Sequence, residues 1–501
     1  MKAAALLRAG GLGVLVFGAT WLAAVLYWRA SATEVTSGHL LVWLLVLPLL
    51  LFTALLGLRA LLRRRRAGRA TPPAGEEEGN AASDAVPATP DRPLYLHAAT
   101  AWTRAGSDPD VIAAALANPS RPPLHPGLRD SMGLPVFAAE AGDVDPGWSA
   151  GWLGRQLGER VAAAQPPHVL RALALLEPVA EDLLLAAAAS VANPARPGLA
   201  APAEDTGLHP HAMHHSRSAR APGGAAPTPP LCIQLLLPAA WPAPVREAAA
   251  ARLAELAAAS GLDAGRFIIE ACAANGPDDV WRALERAAAQ DLDAPRVVLA
   301  TESMLDPLRI EQFEARNQLL VSGHLEGRIP GEAAAGLLLA AAPLPAPGER
   351  PPVRMHRCSR ADAGRGREAV AGSARLLQDA VRTAGLEDGP RCVFTDADHR
   401  PSRAVEAAGA IHAVLPEAEL AVAARHLGLA CGDAGLAAPL VLLAAAAAHV
   451  HVAGAPVLVL GLAGDARRTA LALSPVPVPG PSPTDPARSP ETHAAAEAAT
   501  A

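Results

Sequence analysis

Side chains able to do covalent or metal chemistry are sparse in this chain of 501 residues, and their types narrow that chemistry before any fold is assigned. Lys2 is the only lysine. A lysine-bearing phosphate loop, a pyridoxal Schiff base and a lysine general base are therefore excluded downstream of it. Five cysteines, Cys232, Cys272, Cys358, Cys392 and Cys431, form no CxxC pair and no even ladder, so they read as reduced thiols of a cytoplasmic domain. His209, His211, His214 and His215 lie close enough to ligate zinc or nickel. Their Pro/Gly-rich surroundings offer no supporting cysteine or carboxylate geometry, and the plainer reading is a solvated insert with no metal. Glu302 and Ser303 end a short apolar run, and Asp396, Asp398, His399 and Arg403 form a polar turn. No dinucleotide fingerprint or HExxH occurs.

The elements that must position these groups follow from hydrophobic patterning. Leu231–Leu237, Arg266–Glu270, Arg296–Ala300, Arg391–Thr395 and Val457–Leu462 are short apolar runs that predict strands. Between them, Val245–Ser260, Asp278–Gln290, Arg367–Ala384 and Arg403–Val414 predict helices, as does Arg171–Ala189 upstream. Alternating strand and helix predicts a parallel α/β sheet with right-handed crossovers. Small residues crowd Ile329-Pro330-Gly331-Glu332-Ala333-Ala334-Ala335-Gly336 ahead of Leu337–Leu339, which predicts close approach in a core.

Ahead of this domain, Gly10–Trp28 and His39–Leu58 each approach the roughly 20 apolar residues that span a bilayer. Arg59, Arg63, Arg64, Arg65, Arg66 and Arg69 follow the second span, which places both termini and the soluble part in the cytoplasm by the positive-inside rule. The resulting division is a transmembrane hairpin anchor (1–69), a linker without a core (70–92), a front portion (93–192), a His/Pro-rich insert (193–230), two α/β portions (231–345 and 346–475) and a polar tail (476–501). A net charge of −6 gives no reason to expect nucleic acid.

The order strand, Glu302-Ser303, helix, variable loop, Pro330-Gly331-Glu332-Ala333-Ala334-Ala335, strand resembles the thiolase-like superfamily in its β-ketoacyl-ACP synthase branch. The resemblance implies a duplicated α/β domain in αβαβα layers, a homodimer, no cofactor and an acyl thioester or acyl carrier as partner. It also implies a nucleophilic cysteine at a strand-to-helix turn, for which Ile269-Glu270-Ala271-Cys272-Ala273 offers Cys272. The two synthase histidines are not matched. The first position falls on Thr395, with Asp396 after it and His399 about four residues late, and the second falls on Asp433. A carboxylate at that place repels a developing enolate. The resemblance thus implies a pseudoenzyme with an adaptor or scaffold role for a partner protein at the bacterial inner membrane. By layout it is similar to the membrane-anchored lipase adaptors of type VI secretion. Two alternatives are a thiol-dependent acyltransferase or thioesterase using Cys272 with Asp396, His399 or Asp433, and an inactive partner subunit of a ketosynthase.

Overall fold

A computed structural model of the chain describes residues 20–21, 94–192, 230–289, 294–344, 350–386 and 389–476. Apart from Thr20 and Trp21, the expected membrane spans Gly10–Trp28 and His39–Leu58, the linker, the His209–His215 group and nearly all of the tail lie outside the described residues. The chain divides into two units, Met1–Val86 and Pro87–Ala501, and the second holds the α/β domain.

Strand β1 (Leu94–Thr103) leads into helix α1 (Pro109–Ala115), hairpin β2 (Leu124–Arg129) and β3 (Pro135–Phe137), and helices α2 (Pro146–Leu157), α3 (Glu159–Ala163) and α4 (Pro167–Ala192). Next come β4 (Leu231–Pro238), α5 (Ala243–Ala259), β5 (Phe267–Ala274), α6 (Pro277–Ala289), β6 (Arg296–Ser303), α7 (Pro307–Ala315) and β7 (Glu332–Ala340). The remainder is β8 (Val353–Met355), β9 (Ser359–Asp362), α8 (Arg367–Ala384), β10 (Val393–Thr395), α9 (Pro401–Val414), α10 (Leu420–Ala423), β11 (Ala424–His426), α11 (Leu427–Cys431), α12 (Ala438–Ala453), β12 (Val457–Gly461) and β13 (Arg467–Pro475). Helices α1, α2 and α7 share one local device, an Asp-Pro step. Asp108, Asp145 and Asp306 each accept a hydrogen bond from the amide two residues on, and the proline supplies a preset φ at the first helical position.

The strand order shows two copies of one topology. In the first, the order is β1-β7-β6-β4-β5; in the second, it is β8/β9-β13-β12-β10-β11. Pair types match as well: the two pairings nearest β1 and nearest β8/β9 are antiparallel, and the outer two are parallel. β8 pairs with both β1 and β13, so the two five-stranded arrays join into one sheet path.

Period-two alternation along the strands sorts their side chains into layers. Ile233, Leu235, Val297 and Leu299 pack with α4 and α5 on one outer side. Leu236, Val298, Ala300, Val457 and Val459 face the middle, where α6 and α12 lie. Leu458 and Leu460 face α8 and α9 on the other outer side. The result is an αβαβα stack. Helix α12 is apolar enough to cross a membrane, yet most of it is buried, because it is the shared inner layer of both arrays. The small-residue run has a cause in the same stack. β7 is buried along its whole length, and a Cβ on Gly336 would come within 2.5 Å of Leu299 and 2.6 Å of Leu183 from α4.

One expected boundary is corrected. The strand predicted to stop at Glu270 continues to Ala274 as β5, so Cys272 sits inside a strand rather than at a strand-to-helix turn. Ala271–Ala274 adopts the ladder because each residue pairs with β4, from Leu235 to Pro238.

Candidate functional site

Parallel strands β10 and β12 end side by side, and the polar groups collect beyond their carboxyl ends, where open α/β sheets bind ligands. The chain leaves β10 at Thr395, whose Oγ1 accepts the Ala397 amide at 3.1 Å, and Asp396 follows. The turn between α11 and α12 carries Asp433 to the same place. It is held against the first half by a two-way backbone exchange: Asp433 N donates to Ile329 O at 2.8 Å, and Gly331 N donates to Asp433 O at 3.1 Å. Glycine is required in this junction. A Cβ on Gly331 would lie 2.3 Å from Cys431 O, and one on Gly428 would lie 2.8 Å from the carbonyl oxygens of both Asp396 and Ala397.

Asp396, Asp398, Arg400, Gly428, Asp433 and Ala463 line a cavity of about 10 Å³, room for one water molecule. Its two innermost carboxylates are in opposite electrostatic situations. Burial pushes the Asp396 carboxyl up to about 6, against the pull of the Leu462 amide that donates to Oδ1 and of the Ala463 amide beside it. Burial acts in the same direction on Asp433, yet the Arg328 guanidinium, 2.9 Å from Oδ2, outweighs it and holds this carboxyl below its ordinary value. Arg328 also bonds both oxygens of Asp465, and Arg400 Nε bonds both oxygens of Asp398. Glu302 completes the surroundings. Its Oε1 accepts from Arg309 at 2.8 Å and its Oε2 from the Leu436 amide at 2.9 Å, while burial raises its pKa.

The repeated strand order, the αβαβα stack and this placement of the polar cluster decide the architecture. They are those of the thiolase-like fold expected from the sequence. No protein-family profile matches the sequence, and no curated protein matches it. Solved structures similar to it include the ishigamide ketosynthase/chain length factor, at 16% identity and TM-score 0.48, covering 77% of this chain and 100% of that one. An oxazolomycin ketosynthase domain of Streptomyces albus aligns at 12% identity and TM-score 0.49, covering 78% and 76%. The ketosynthase from module 6 of the bacillaene synthase of Bacillus subtilis aligns at 11% identity and TM-score 0.49, covering 77% and 72%.

Within this thiolase-like fold, the residues singled out from sequence are only partly brought together. Asp396 and Asp433 share one cavity. His399 is absent from its lining, and burial lowers its pKa, against the pull of Asp398 and of the Gly327 backbone. Cys272 is elsewhere, in β5, where Gln234 Nε2 approaches Sγ at 3.7 Å. The turn between β5 and α6 instead holds Asn275 and Gly276, with the Asn275 amide bonded to Asp279 at 2.7 Å. No thiol or hydroxyl side chain lines the cavity, and no group of His, Cys, Asp and Glu able to hold a metal occurs among the described residues. Sequence reasoning missed Arg328 and Arg400, the cations that pair with Asp433 and Asp398. Arg400 is two residues from its partner and legible as a local Asp-x-Arg pair, whereas Arg328 reaches Asp433 across 105 positions and leaves no local signal.

Proposed function

We propose that this thiolase-like chain is a non-catalytic binding protein, an adaptor that holds a partner protein at the cytoplasmic face of a bacterial inner membrane. One observation carries the non-catalytic part. The cavity at the strand ends admits one water, contains no nucleophile, and is lined by carboxylates, two of them locked to guanidiniums. Acyl transfer needs a nucleophile within hydrogen-bond reach of its base and donors aimed at an oxyanion. Negative charge at that point opposes both enolate and oxyanion formation. The membrane location is supported by the two apolar stretches and the arginine cluster of the sequence, and an association with type VI secretion by that layout alone.

A second reading, an inactive subunit paired with a ketosynthase or with a second copy of itself, is favoured by β5. This strand is the free edge of the first array, and beside the exposed Glu270 it presents Ile268, which is 54% exposed.

Intact-mass analysis after incubation with a panel of acyl-CoA thioesters tests the main reading, with wild type compared to Cys272→Ala. The unmodified mass is expected for both. A stable acyl adduct that disappears in Cys272→Ala would overturn it in favour of a thiol acyltransferase. Affinity capture from bacterial membranes then identifies the partner.

A further inference from the structure

A second, larger cavity of about 720 Å³ opens on the outer side of the second half, between the loop ahead of α8 and the first turns of α8 and α9. Its charged lining is uneven: Arg365, Arg367, Arg403 and Arg468 face Glu406 and Asp465. Both carboxylates are already engaged. Glu406 Oε1 accepts from Ser373 at 2.9 Å and from Arg468 Nε at 2.6 Å, and Oε2 accepts from Arg403 at 3.0 Å and Arg468 at 3.2 Å. Asp465 accepts two bonds from Arg328, which lies outside the cavity. Arg365 and Arg367 make no ion pair among the described residues, and Arg403 Nε is buried without a hydrogen bond. Arg365 and Arg367 therefore present exposed, unpaired guanidiniums to a cavity whose own two carboxylates already accept from other arginines.

The backbone points the same way. At the start of α9 the chain supplies its own anion, since the Glu326 carboxylate accepts from the Ser402 amide at 3.0 Å. At the start of the 18-residue α8, no side chain caps the first turn.

We propose that this cavity binds a phosphate monoester, borne either by a soluble small molecule or by a lipid head group. A phosphate dianion has three acceptor oxygens and matches the planar forks of several arginines at once, whereas a simple carboxylate offers two oxygens and one charge. The volume is that of a small-molecule site. The inference is independent of the adaptor reading, because no residue of the Asp396 cavity takes part.

The full-length chain in detergent is titrated calorimetrically with glycerol 3-phosphate and with dihexanoyl phosphatidic acid below its micellar concentration, with acetate at matched ionic strength as control. Saturable heat and a rise in melting temperature are expected with a phosphate ester and not with acetate. The double substitution Arg365→Ala and Arg367→Ala removes two exposed side chains. It is expected to leave the ligand-free melting temperature unchanged and to weaken binding by about tenfold or more. Equal affinity for both esters identifies a soluble phosphate as sufficient, and binding of phosphatidic acid alone identifies a lipid source. Binding of neither ester, or undiminished binding by the double variant, overturns the proposal.

Discussion

Asp396→Asn isolates the electrostatic cost of the cavity at the strand ends. Asparagine keeps an acceptor for the Leu462 amide at Oδ1 and removes the ionisable group from a cavity lined by Asp398 and Asp433. Burial raises the wild-type carboxyl from 3.8 to about 6, so its ionised form is about 3 kcal/mol less favourable in the folded chain, at 1.36 kcal/mol per tenfold change in proton affinity. The sign follows from linkage. Below pH 3.8 the group is protonated in both states and the penalty is absent; above about pH 6 it is ionised in both, and the folded state bears all of it. Wild type therefore loses this contribution as pH rises through that window, and Asp396→Asn does not. Equilibrium urea unfolding of the two proteins should show the variant more stable by about 3 kcal/mol at neutral pH, with the gain shrinking toward zero near pH 4. A variant less stable than wild type at neutral pH, or a gain independent of pH, refutes the reasoning.

Three further outcomes are expected. Arg171→Met should cost about 3–5 kcal/mol in chemical denaturation, because the fully buried Glu332 keeps only Ser303 Oγ and the Ala141 amide as partners. Gly428→Ala should cost about 1–3 kcal/mol, read as a lowered melting temperature, since its Cβ meets two backbone carbonyl oxygens that cannot swing aside. Ile268→Lys, which charges the free edge of β5, should weaken self-association at least about tenfold in sedimentation velocity, equivalent to roughly 1.4 kcal/mol.

The parts of the fold legible in the sequence are those where one physical preference dominates. Leu231–Leu237, interrupted only by Gln234, and Val297–Ala300 are apolar runs, and both lie in central strands. Asp108-Pro109 announces a helix start by its own chemistry. The Ala-Cys-Ala-Ala stretch of β5 carries no period and little β propensity, so only its pairing with β4 makes it strand, and sequence alone puts Cys272 in a turn. β13 escapes sequence reading for a related reason. It opens with Arg467 and Arg468, and the second of these is buried only because Glu406, 62 positions away, accepts from it. At the candidate site, Asp396 and Asp433 are legible in the sequence, but the burial that raises the first and the Arg328 guanidinium that holds down the second are set by tertiary packing.

The pairing of β1 has a consequence during synthesis. Its partner β7 ends at Ala340, opposite Tyr95, and β8 contributes Val353–Met355 opposite Leu94–Leu96. Ribosomes add roughly 5–20 residues each second, so β1 emerges and waits about 12–50 s before either neighbour exists. Throughout that interval an apolar strand has both edges open, the state in which chains capture one another. A nascent chain that docks early on a membrane or a chaperone shortens its exposure, and slowing translation between residues 103 and 332 should lower the yield of soluble protein far more than slowing it after 355.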